Sequence, residues 1–217
     1  MTNIVHEVWK ILDNSPDIRK NLSRGLINHS ALARFIIEKN NLNATLDAVI
    51  SSIRRYQLDR YDELFDRANK IIGQSSISTK SNLANISVIK DAEIQKLLPK
   101  IFTLVQYNRG DVLRIIQADE SIKILVDEKN LEKVKTLFPK DKIIKIDRNL
   151  AEINMHLHPE AVNTPGLLSI ASNELAINNI NVCETMSCVP ELLWFVNEKD
   201  ILKAHNVIYN LCHSNGK

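Results

Sequence analysis

The chain has 217 residues, with 28 basic and 26 acidic side chains, 44% apolar and 25% charged residues, the composition of an ordinary folded protein rather than a disordered or collagenous one. Its five glycines, at 25, 73, 110, 166 and 216, are too widely spaced to build the glycine-rich loop of a dinucleotide or P-loop nucleotide site. A formal net charge of +2 exerts no global pull toward nucleic acid or acidic lipid, so local patches must carry any such role.

Residues 4–72 read as a helical bundle. Ile4, Val5, Val8, Trp9 and Leu12 make one helical stripe, which ends before Asn14-Ser15-Pro16. A short helix follows over residues 17–23 and is closed by Gly25. Asn28 is placed to cap a third helix with Ala31, Leu32, Phe35 and Ile36 inward, stopping at Asn40-Asn41. Asn43 or Thr45 caps a fourth, with Leu46, Val49, Ile50 and Ile53 inward and Ser51, Ser52, Arg54 and Arg55 elsewhere on its surface. A fifth spans about residues 59–72 and carries Leu64, Phe65, Ala68, Ile71 and Ile72. Residues 73–82, polar and serine-rich, read as a linker between domains.

Beyond it the apolar period shifts toward 2. Residues 83–89 form a strand, Asp91 caps a helix, residues 112–118 and 122–126 are two strands around a tight turn, residues 131–137 are helical, and residues 143–146 are a strand. The order then starts again: a strand from Ile153, a helix with Pro165 at its first position, strands over residues 181–187 and 192–196, and a helix over residues 199–212. This is an internal duplication, with antiparallel sheet and helices on one face. The expected class is α+β: an all-α bundle (residues 1–72), a linker (73–82), and two ferredoxin-like βαββαβ units (83–148 and 149–213), the second lacking its own last strand.

The run Asn163-Thr164-Pro165-Gly166-Leu167-Leu168, with Glu174-Leu175-Ala176 and Asn179-Ile180-Asn181-Val182 after it, resembles the ACT domain, most closely in the regulatory half of aspartate kinases. The match runs on through residues 191–196 to a closing helix with Asp200, Lys203 and Ala204; residues 83–148 resemble the family in element order alone. The resemblance implies a free amino acid held by loop residues Asn163, Thr164, Pro165, Gly166, Leu167 and Leu168, with Ile180 and Asn181 as the opposite wall. The physics of the loop agrees: a helix start offers unpaired N–H groups and partial positive charge, and a glycine lets backbone approach a carboxylate closely. The corresponding loop of the first unit, Ile89-Lys90-Asp91-Ala92-Glu93, has no Pro-Gly, and its acids repel a carboxylate, so that unit is expected to be structural. No kinase catalytic half precedes the linker, which points to ligand sensing without chemistry and without a cofactor.

The third and fourth helices, joined by a short polar turn, are compatible with a helix-turn-helix. Residues 18–37 contain no acid, and Arg34, Arg54 and Arg55, with Arg60 beyond them, are candidate phosphate contacts, while Thr45, Ser51 and Ser52 are candidates to approach base edges. Against this, residues 1–72 hold 11 basic and 9 acidic side chains, a weak surplus for a DNA reader. His156 and His158, two apart on a strand, share a face as metal ligands do, but surface or core histidines are the simpler reading, and no metal is expected. No apolar run approaches the roughly 20 residues of a membrane span, no signal sequence opens the chain, and Cys183, Cys188 and Cys212 form no disulfide framework. The expectation is a cytoplasmic, homodimeric, amino-acid-responsive regulator that acts on transcription through its helices. The alternative is a dimeric interaction module that regulates a biosynthetic enzyme without binding DNA.

Overall fold

The computed structural model describes residues 4–56 and 59–213, the side chains of residues 59–65 excepted; the sequence readings of Arg60, Leu64, Phe65 and Gly216 lie outside these. The chain divides into two compact units, residues 1–68 and 69–217. The division falls inside a helix and not in a linker.

In the first unit, α1 (Ile4–Asp13), α2 (Pro16–Ser23), α3 (His29–Asn40) and α4 (Leu46–Arg54) form where the apolar periodicity and caps place them. The Asn28 side chain accepts from the N–H groups of Ser30 and Ala31, and Thr45 Oγ1 accepts from Ala48 N, each satisfying N–H groups that a helix start leaves open. The core is built from Val8, Leu12, Leu32, Ala33, Ile36, Val49 and Ile53. The inward face of α3 therefore centres on Leu32, Ala33 and Ile36. Ala31 and Phe35 lie on its flank, and Phe35 is 46% exposed with Lys39 Nζ 5.1 Å from its ring centre.

Helix α5 (Asp59–Gly73), which spans the division, leads into β1 (Ser76–Ile89) of the second unit, so residues 76–82 are strand, not linker. There follow α6 (Ala92–Leu104), β2 (Leu113–Gln117), β3 (Ser121–Asp127), α7 (Glu128–Lys135), β4 (Ile143–His156), α8 (Leu167–Ile177), β5 (Val182–Cys188), β6 (Glu191–Asn197) and α9 (Ile201–His213). The two strands expected around residues 143–146 and from Ile153 are one, β4.

All pairings are antiparallel, in the order β2-β3-β1-β4-β6-β5. The two central strands are each shared. Residues 83–89 of β1 lie between β3 and β4, whereas residues 76–80 pair with β4 alone. In β4, residues 150–156 pair with β6. Residues 76–80 thus take the place of the last strand that the second half lacks. Asn82 and Asn149 mark the change of partner in the two strands, both with positive φ (58° and 54°), a conformation asparagine tolerates better than most residues. Each opens the same short motif, Asn82-Leu83-Ala84-Asn85-Ile86 and Asn149-Leu150-Ala151-Glu152-Ile153, and Val126-Asp127-Glu128-Lys129 is echoed by Val196-Asn197-Glu198-Lys199.

One face of the sheet is covered by helices. Ala84, Ile86 and Val88 pack with Ile94 and Ile101 of α6 and Leu131 and Val134 of α7; in the second half, Trp194 Nε1 donates to Ser172 Oγ of α8 at 2.9 Å. The other face carries a cluster with no helical residue in it, Leu83, Val112, Leu125, Leu150, Leu193 and Phe195. That face is concave. Lys123 on β3 pairs with Glu184 on β5 although three strands lie between them, a gap of about 19 Å in a flat sheet with strands 4.8 Å apart.

Candidate functional site: a cavity at the start of α8

Between the loop after β4 and the β5–β6 turn lies a cavity of about 270 Å³. Thr164, Gly166, Leu167 and Leu168 line it on one side, Ser187, Val189, Pro190, Glu191 and Leu192 on the other. Gly166 precedes the helix at φ 93°, and a Cβ there would meet no atom within 4 Å. The glycine is required by its backbone conformation rather than by crowding. No side chain caps α8, so its first N–H groups and the positive end of its dipole border the cavity. The negative group is Glu191, whose Oε1 accepts from Asn154 Nδ2 at 2.9 Å. The remaining lining is mostly apolar, with Leu157, Ala161 and Val162 added to the leucines, Val189 and Pro190.

Four of the eight ligand-binding residues expected from the sequence line this cavity. Asn163 and Pro165 are exposed beside it; Pro165 sits in the turn before α8, and the first helical residue is Leu167. Thr164 is buried, its Oγ1 donating to Glu160 O at 3.0 Å. Ile180 and Asn181 do not form the opposite wall. Gly166 stands before α8 and Ile180 after it, and 11 helical residues hold such points about 16 Å apart. Ile180 is buried, its N–H bonded to Leu175 O, and Asn181 borders a different cavity. The wall comes instead from the far end of the same hairpin, for which the Val189-Pro190 turn pair was the available signal.

The corresponding place in the first half is occupied by the protein itself. The Asp91 carboxylate accepts from Ile94 N at 2.9 Å and pairs with Lys142 Nζ at 2.7 Å. The Lys142 bond, followed by that from the Ile94 amide, holds its pKa below the ordinary value.

Among the DNA-facing candidates, Arg34, Thr45, Ser51, Arg54 and Arg55 are exposed. Ser52 is not: it is 1% exposed, its Oγ donates to Ala48 O at 2.8 Å, and its carbonyl accepts from Trp9 Nε1 at 2.9 Å. It belongs to the packing of α4 on α1. His158 accepts from Glu160 N in a turn, and among the described residues no group of three or more His, Cys, Asp or Glu converges as metal ligands do. No helix among them is long and apolar enough to cross a membrane.

Among solved structures, the Clostridium acetobutylicum aspartate kinase superposes with a TM-score of 0.50 at 20% identity, over 63% of this chain. An aspartokinase alpha and beta subunit structure matches with a TM-score of 0.50, 16% identity and coverage of 63% of this chain and 96% of that one. The regulatory subunit of aspartate kinase from Thermus flavus does so at 0.50, 11% identity and 62% and 95% coverage. The fold is ACT-like. This chain spans 34% of the length of the Clostridium enzyme. No family model and no curated protein sequence matches it.

Proposed function

We propose that the chain is a non-catalytic regulator whose C-terminal ACT-like half binds a free amino acid in the cavity at the start of α8. What supports this most is the pairing of charges around an apolar space. The uncapped helix start suits a carboxylate, Glu191 suits an ammonium group, and the leucine- and valine-lined interior suits a small apolar side chain. The ACT-like fold, shared with regulatory subunits of aspartate kinase, adds to it. Output runs through the helical unit, to DNA by way of Arg34, Ser51, Arg54 and Arg55, or to an enzyme. Edge strands β2 and β5 offer unpaired backbone for a homodimer. A dimer that serves only to dock a biosynthetic enzyme, with no ligand, is the second reading, favoured by those same edges.

The test is thermal unfolding of the full chain with each of the twenty amino acids. A ligand present at ten times its Kd stabilises by about 1.4 kcal/mol, which raises Tm by about 3–6 °C for a unit of this size. Valine, leucine or isoleucine is expected to produce the shift, and Gly166→Trp to abolish it. A flat response across all twenty, with a dimer in solution, supports the docking reading instead. Retardation of duplex DNA that weakens steeply with salt separates DNA from an enzyme as the target.

A further inference from the structure

The concave, helix-free face of the sheet ends in a second cavity, of about 440 Å³. It is lined by Asn85 of β1, Lys123 of β3, Lys145 and Asp147 of β4, and Asn181 and Glu184 at the start of β5. It shares no lining residue with the cavity beside Gly166. The two sit at opposite ends of β5.

This cavity is polar and carries both signs of charge. Lys123 pairs with Glu184, and Lys145 Nζ lies 2.6 Å from Asp147 Oδ1. All four side chains are between 23% and 67% exposed, and ion pairs with that access to water contribute little, so they exchange partners at small cost. Asn85 is different. It is only 7% exposed, it stands opposite Asp147 in the β1–β4 register, and its Nδ2 donates to Ser87 Oγ at 3.2 Å and Asp147 Oδ2 at 3.4 Å. Its Oδ1, shielded from solvent, has no partner among the described residues. A buried acceptor left without a donor is costly, and folded proteins rarely keep one without a use for it.

We infer that this cavity is a second binding site, for a small polar zwitterion, separate from the site beside Gly166. The ammonium group of the ligand donates to Asp147 and Glu184, and its carboxylate accepts from Lys123 and Lys145; Asn85, whose Nδ2 donates to Asp147 Oδ2, holds Asp147 in place for it. A simple anion meets Asp147 and Glu184 as well as the lysines, and a simple cation meets the lysines. Only a molecule with both charges replaces both ion pairs. The apolar cavity at the other end of β5 selects differently, by its lining of leucine, valine and proline.

One exposed cysteine reports on the polar cavity: Cys183 lines it, whereas Cys188, also exposed, lines neither cavity and serves as the internal control. The experiment is timed alkylation of the full chain with iodoacetamide, read by mass spectrometry at each cysteine, with L-glutamine, L-aspartate, L-lysine, L-leucine or succinate present. At ten times its Kd, a polar amino acid is expected to slow alkylation of Cys183 about tenfold by occupancy and to leave Cys188 unchanged; succinate has no effect on Cys183. Asn85→Leu and, as a variant at an exposed position, Lys145→Ala abolish the protection. The inference is overturned if none of the three polar amino acids protects Cys183, if succinate protects it as well as they do, or if protection survives Asn85→Leu. A Tm left unmoved by leucine counts against the site beside Gly166 and leaves this one standing.

Discussion

Helices α6 and α8 occupy equivalent places in the two halves of the sheet, and they begin in opposite ways. At the start of α6 the Asp91 carboxylate bonds to Ile94 N and to Lys142. At the start of α8 stands Gly166, with no side chain, open space where a Cβ would be, and a cavity alongside. The same electrostatic feature, the positive end of a helix dipole, is thus satisfied from within in one half and open to a cavity in the other. Asp91 does more than repel a ligand carboxylate: it occupies the position such a group would take. A duplicated fold can hence close one helix start with its own side chain and leave the equivalent start open.

The comparison can be broken most forcefully in the core. Ile86 and Ile153 occupy the same position of the repeated motif and are both fully buried. Ile86→Ala and Ile153→Ala are each expected to cost about 2–5 kcal/mol in denaturant unfolding; a cost at one site more than twice that at the other shows that the halves are not energetically equivalent. A smaller effect comes from Asp91. Its folded pKa lies below the usual carboxylate value because of Lys142 first and the Ile94 amide second. The stability it contributes is present above its unfolded pKa and is lost as pH falls through the lower folded value. Asp91→Ala is therefore expected to lower Tm at neutral pH, with the deficit shrinking as pH falls below the ordinary carboxylate range. A deficit independent of pH removes the carboxylate from the explanation.

Glu152, the counterpart of Asn85 in the repeat, should give the smallest change and the opposite sign. Burial raises its pKa, while Arg114, whose Nη2 donates to its Oε1 at 3.1 Å, works against that. Because the folded value lies above the unfolded one, its ionisation costs stability as pH rises, and that cost is relieved as pH falls through the folded value. Glu152→Gln is expected to raise Tm at pH 8 and to raise it less at acidic pH. A loss of stability at pH 8 means that the pair with Arg114 outweighs the burial of the charge.

What the sequence made legible was local. Asn28, Thr45 and Asp91 cap the helices they were expected to cap, because a cap is set by residues two or three positions away. The strands of the second unit carried their apolar alternation openly wherever both neighbours were present. Residues 76–80 did not, for a physical reason: they pair with β4 alone, are mostly exposed, and so need no apolar face for periodicity to reveal. Ser52 was misplaced because a buried serine that bonds to the preceding turn of its own helix looks, in sequence, like a surface serine. The cavity beside Gly166 was half legible. Its loop is a contiguous motif, whereas its other wall depends on which end of β5 meets that loop, a matter of tertiary register rather than composition.

The pairing of residues 76–80 with residues 152–156 bears on how small a folded fragment can be cut from this chain. A fragment starting at residue 149 contains every residue around Gly166, yet it leaves β4 with a bare side where hydrogen bonds to Ser76, Ile77 and Ser78 belong. The smallest piece that keeps the cavity beside Gly166 intact therefore begins before β1 and contains the first half entire. Divergence has freed that half from any visible need to hold a guest of its own at α6, but it cannot be deleted without unstitching its neighbour.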